Sequence, residues 1–185
     1  MKASSCIAPL FLLPFIGGVA SPPILAANQP GDFSLTTSVG YSSARSDSHY
    51  DTDQTISLAV DYQKSRFAGY RASVGFFTLQ GRNPVSASAG KQDVDGLFML
   101  GNLVLTPSFA TVHPFVTFGV GLYSMRLTDN SGSNQSYELG ANWGFGLDVQ
   151  VVRHFSVHGE AMFHYTTGEV SNPIQTLVVG GRFDF

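Results

Sequence analysis

Residues 137–149 read YELGANWGFGLDV, and the two halves of that string have different chemistry. Tyr137, Leu139, Ala141, Trp143, Phe145, Leu147 and Val149 fall on one side, with Glu138, Gly140, Asn142, Gly144, Gly146 and Asp148 on the other. Side chains alternate across a strand with period two, so this segment is a strand with one apolar face and one small or polar face; no helical period fits it. The same period runs outward in both directions. Upstream, Val116, Phe118, Val120 and Leu122 alternate with Thr117, Gly119, Gly121 and Tyr123. Downstream, Phe155, Val157, Ala161, Phe163 and Tyr165 oppose Ser156, His158, Glu160, Met162 and His164, and Leu177, Val179, Gly181, Phe183 and Phe185 oppose Thr176, Gly180, Arg182 and Asp184.

Three more strands precede these. Phe33, Leu35, Thr37, Val39 and Tyr41 share a face, as do Ile56, Leu58, Val60 and Tyr62, and then Tyr70, Ala72, Val74 and Phe76. Residues 94–106 also read as a strand, but Leu97, Met99, Leu103 and Leu105 share parity with Asp95 and Gly101, which leaves its facing open. Eight strands result. Their connections alternate in character: 44–53, 81–92, 128–136 and 167–173 are longer and polar, whereas 64–66, 106–113 and 151–154 are short. Long and short ends of an up-and-down barrel account for that alternation.

Composition narrows the class. Of 185 residues only 12% are charged, with a net charge of −3, so no basic field exists to draw the chain to nucleic acid. Met1 and Lys2 followed by the apolar run at 7–16 (IAPLFLLPFI) read as a secretory signal, too short to span a bilayer. Cleavage is expected after Ala20, with Ala27 as the later alternative, giving a signal peptide at 1–20 and a barrel domain at 28–185. The single cysteine, Cys6, lies at the start of that segment, so the mature chain carries no thiol for a disulfide or a thiolate metal site.

Alternation alone fits a soluble barrel and an inverted, membrane-embedded one equally. The minor face favours the second. It is Gly, Ser, Thr and Asn interrupted by Arg71, Glu138, Asp148, His158, Glu160, His164, Arg182 and Asp184, charges of both signs that could neutralise one another in a narrow lumen. A solvated outer face is the competing reading of the same residues. Eight strands leave little lumen, so small side chains and a few charges are expected there, not a second layer of large ones. Several strands are long enough to cross a bilayer at a tilt of about 45°. Tyr41, Tyr62, Tyr70, Tyr123, Tyr137, Phe155, Tyr165 and Phe183 near strand ends suggest interfacial girdles.

The segment at 114–121 (PFVTFGVG), the ending at 180–185 (GGRFDF) and the signal sequence together resemble the small eight-stranded outer-membrane barrels of Gram-negative bacteria, the OmpA and OmpX-like superfamily. The resemblance implies a closed antiparallel transmembrane barrel in the outer membrane, in contact with lipid and lipopolysaccharide. It also implies that Phe185 is a recognition signal for the barrel-assembly machinery. The expected role is structural, adhesive or interactive, through polar loops that meet a surface ligand or host partner, in a monomer. A small-solute pore is the first alternative.

The second alternative is a lipid A-modifying hydrolase, because His164-Tyr165-Thr166 resembles the His-x-Ser pair of the lipid A deacylases. Thr166 stands where the nucleophilic Ser would be, and the only acids nearby are Glu169 in the loop and Asp184 at the chain end. His158, Glu160 and His164 share a face, but strand spacing puts His158 and Glu160 about 7 Å apart, which favours a lumen hydrogen-bond network over zinc. No catalytic, cofactor-binding or metal-binding residue is assigned.

Overall fold

A computed structural model describes residues 30–44, 50–81, 93–107, 111–129, 132–167 and 173–185. The signal segment and its cleavage positions lie outside the described residues. Strands are the only regular elements described, and eight of them form the staves of a barrel: β1 (Phe33–Ala44), β2 (Asp53–Gln63), β3 (Ala68–Gly81), β4 (Asp93–Leu105), β5 (Val112–Asp129), β6 (Gly132–Val152), β7 (Phe155–Thr166) and β8 (Ile174–Asp184). Each pairs antiparallel with its neighbours in sequence, and β1 pairs with β8 from Ser34↔Asp184 to Ala44↔Ile174, which closes the sheet. A two-residue segment, Tyr50–Asp51, adds a short pairing at the end of β3.

Closure leaves no sheet edge along the staves, so hydrocarbon can surround the barrel without meeting an unpaired amide. The outward side chains supply the matching solvent. From the end that carries Phe33 and Phe185, the staves present an aromatic or large aliphatic residue, then an apolar run, then polar residues at the loop side: Phe33 to Tyr41 on β1, interrupted only by Thr37, Tyr62 to Ile56 followed by Gln54 on β2, Leu105 to Leu97 followed by Asp95 on β4. Such runs cover roughly 20 to 40 Å along the strand, which at a tilt of about 40° brackets an apolar band about 25 Å tall. Phe33 packs on Tyr62 and Phe155 on Phe183 at the terminus side, while Trp143 stacks on Phe163 at 4.5 Å within the band.

One question the sequence leaves open is answered, and three expectations change. The facing of β4 is settled: Leu97, Met99, Leu103 and Leu105 point outward, and Val94, Phe98, Leu100 and Val104 are buried inside. The lumen therefore does hold large apolar side chains, against the expectation of small ones. Facing glycines make the room: a Cβ on Gly96 would sit 2.1 Å from the Phe77 ring, and one on Gly75 2.2 Å from Phe98. Tyr123 belongs to this interior and not to a girdle, since it is 1% exposed. Finally, 128–136 is not a long loop. Pairing of β5 with β6 continues through Thr128↔Ser133 to Asp129↔Gly132, so polar residues there are strand. Beyond the membrane both faces of a hairpin are wet, and alternation no longer marks it.

Candidate functional site

The lumen has two chemically distinct zones. Toward the loop side, Phe77, Leu79, Val94, Phe98, Leu100, Tyr123, Met125, Met162 and Ile174 form a continuous apolar cluster with Ala44, and Leu127 packs against it. Toward the terminus side lies an ionic network. Arg71 on β3 extends across the barrel: its Nε donates to Asp61 Oδ1 on neighbouring β2 at 2.7 Å, and its Nη1 donates to both oxygens of Glu160 on the opposite stave β7 at 3.1 and 3.0 Å. Arg182 on β8 completes the ring, with Nη1 at 3.3 Å from Asp148 Oδ2 and 3.6 Å from Asp61 Oδ2, and Nε at 3.0 Å from Asp184 Oδ1.

His158 sits between two carboxylates, Nδ1 at 2.6 Å from Asp148 and Nε2 at 3.4 Å from Glu160. Its ring stacks on Phe115 at 5.4 Å, and the Arg71 guanidinium lies over the same Phe115 ring, 5.0 Å from its centroid. Phe115 thus supplies an apolar wall against which both His158 and Arg71 lie. A Cβ on Gly146 would come within 2.3 Å of that ring, so β6 needs glycine where Phe115 crosses it.

Of the residues singled out from sequence, Arg71, Asp148, His158, Glu160, Arg182 and Asp184 meet in this one network. Glu138 and His164 also point inward but stand apart. Glu138 accepts from Ser136 Oγ at 3.2 Å, near the loop side. His164 is 3.0 Å from Tyr123 Oη and 3.3 Å from Thr176 Oγ1, among the apolar cluster. Asp61 and Phe115 were missed as members. Asp61 had a usable signal, since it shares the minor face of β2 and its register partner is Arg71. A second polar group was missed too: Asn102 donates from Nδ2 to Thr117 Oγ1 at 2.7 Å and to Asn142 Oδ1, joining β4, β5 and β6.

What this arrangement does chemically is fill space. A void beside Arg71, lined by Thr36, Ser38, Ser57, Ser73 and Phe98, measures about 30 Å³, room for a water or two. No group of three or more His, Cys, Asp or Glu suited to a metal ion occurs among the described residues.

A closed sheet with an apolar exterior, terminal aromatics and an ion-paired interior defines an outer-membrane β-barrel. The chain belongs to the family of outer membrane protein β-barrel domains, whose model matches residues 11–183. Its place is the cell outer membrane. No curated protein matches the sequence significantly. Among solved structures it is similar to the neisserial surface protein A (NspA; TM-score 0.64, 10% identity, covering 84% of this chain and 99% of that one). The N-terminal barrel domain of OprF from Pseudomonas aeruginosa is comparable (0.63, 14%, 85% and 98%). So is Ail, the attachment invasion locus protein of Yersinia pestis (0.59, 14%, 85% and 100%). At such identities the likeness is one of fold.

Proposed function

We propose that the protein is an outer-membrane anchor that works through its loop-side surface, in adhesion or another contact with a partner, and neither conducts solutes nor processes lipid. The observation that carries this reading is the length of the β5–β6 hairpin. These staves have 18 and 21 residues, against 11 to 14 in the others, and their pairing runs on to Asp129↔Gly132. Gln135 bonds to Ser124 and to Tyr137 on the outer face, and Tyr137 is 80% exposed, so a stiffened ribbon stands above the band.

The lumen supports the same reading from the other side, because Arg71 bridges it and the apolar cluster lies above. A lipid hydrolase needs its histidine at the lipid face, whereas His164 is held inside by Tyr123 and Thr176. Ail has been crystallised in complex with the heparin analogue sucrose octasulfate. A sulfated sugar is not carried over to this chain, whose loop-side residues, among those described, include exposed Asp51 and Asp95 and half-buried Asp53 against exposed Arg126. The signal peptide at 1–20 and the role of Phe185 in assembly belong to this proposal.

Shortening the hairpin tests it. Met125 faces Ser136 in register, and joining them through an Asn-Gly turn leaves the staves in the membrane intact. The shortened protein should still reach the outer membrane and keep a heat-dependent shift in SDS gels. Cells producing it should lose most of their added attachment to extracellular-matrix proteins relative to cells producing the full chain. Equal attachment, or none by the full chain, would remove the adhesive reading.

A further inference from the structure

The short turns at the terminus side set exposed cations beside exposed apolar residues. In the β2–β3 turn Lys64 and Arg66 are exposed, and Phe67 beside them is 64% exposed. In the β6–β7 turn Arg153 and His154 are exposed next to Val151 and Val152. The register slips between Gln150 and Val152, a bulge that inserts a residue and leaves both valines facing out. Among the described residues the acids on this rim are Asp32, half-buried, and Asp184, which is engaged by Arg182; Asp61, Asp148 and Glu160 lie inside the lumen, paired with Arg71, Arg182 and His158.

Both turns are built rigidly. Ser65 Oγ accepts from Ala68 N at 3.1 Å, Gln63 Nε2 donates to Ser65 O at 2.6 Å, and Thr106 N donates to Phe67 O at 3.0 Å. Across the barrel, Gln150 Nε2 donates to Arg153 O, and Asp184 N donates to His154 O. The two turns join β2 to β3 and β6 to β7, on opposite sides of the ring, so cation and apolar residue recur together around the rim.

We propose that this terminus-side rim docks the anionic headgroups of the leaflet it borders, with Lys64, Arg66 and Arg153 on lipid phosphates and Phe67, Val151 and Val152 seated among the acyl carbonyls. Charge complementarity names the partner, and the apolar neighbours choose a lipid over a soluble anion, which has no use for exposed Phe and Val, and over a cell-wall glycan, for which Val151 and Val152 offer no ring face to stack on. Basic residues beside a bilayer attract anionic lipid within a Debye length, and aromatic residues prefer the headgroup level. The pairing of the two on preordered turns makes the attraction local, where a scattered surface charge would give only a diffuse one.

The test is native mass spectrometry of the full protein released from nanodiscs of equal phosphatidylglycerol and phosphatidylcholine. Phosphatidylglycerol should be retained preferentially, and the triple variant Lys64→Gln, Arg66→Gln, Arg153→Gln should cut that preference about tenfold. Arg126→Gln, at the loop side, should leave it unchanged. Raising salt on the unaltered protein should weaken it as well, a check that needs no variant to fold. Equal retention of the two lipids, a triple variant that behaves like the original, or loss of the preference in Arg126→Gln would each overturn the proposal. None of these readouts depends on adhesion, so this inference and the proposed function fail separately.

Discussion

Replacing Arg71 with Ala should destabilise the folded barrel by about 3–5 kcal/mol, the range for removing one partner of a buried ion pair. Asp61 and Glu160 would both lose their principal donor, since Arg71 gives Nε to one and Nη1 to the other. Arg182 can only partly compensate: it lies 3.6 Å from Asp61 and is already engaged with Asp148 and Asp184. The loss would be read as a lower urea midpoint in lipid vesicles and a lower temperature for the gel shift in SDS. Replacing all three partners at once, Arg71→Met with Asp61→Leu and Glu160→Leu, should recover most of the stability, because no charge is then left unpaired. If Arg71→Ala unfolds at the original midpoint, the network is solvated and the lumen is not packed.

Val120→Arg addresses the outside of the barrel. Val120 is 67% exposed and lies mid-stave, with Gly101 and Ala141 as register partners that cannot shelter a guanidinium. At the middle of a bilayer an outward arginine costs about 2–4 kcal/mol, whereas an exposed substitution on a soluble barrel changes stability by about 0.5 kcal/mol or less. Gln135→Arg, on the hairpin beyond the apolar band, serves as the control and should cost little. Vesicle unfolding titrations of the two variants separate membrane-facing from water-facing positions residue by residue.

Most of the fold was legible because hydropathy parity is a direct consequence of the pleat, and seven staves obey it. The exception, β4, carries Val94, Phe98, Leu100 and Val104 inside and Leu97, Met99, Leu103 and Leu105 outside. A strand apolar on both faces loses its alternation, and the reason for the inner set is the lumenal cluster, which no local pattern announces. Tyr123 was misplaced for a related reason: its position near the polar end of β5 suits a girdle, but its parity is that of Thr117 and Gly121, and it reaches His164 inside.

The polar network was legible as a list of inward residues and not as a set of contacts. Parity puts Arg71 and Glu160 in the same lumen, but they are 89 residues apart in sequence, and their meeting depends on stave order and stagger. Asp61 shares the minor face of β2, but that it lies directly opposite Arg71 follows from the β2–β3 register, which parity alone does not fix. The rigid hairpin above the membrane was read as a loop, since there neither face must be apolar.

Ion-paired side chains cross the lumen at one end and apolar side chains fill it at the other, and on the proposed reading the protein acts at its surfaces. Planar-bilayer recording tests this most directly, using protein whose gel shift shows it folded. The account predicts current at the bare-membrane baseline across the usual voltage range, with Arg71→Ala the variant in which leak would first appear. A sustained, stepwise conductance from the unaltered folded protein would contradict it and make the lumen, not the loops, the place where this protein acts.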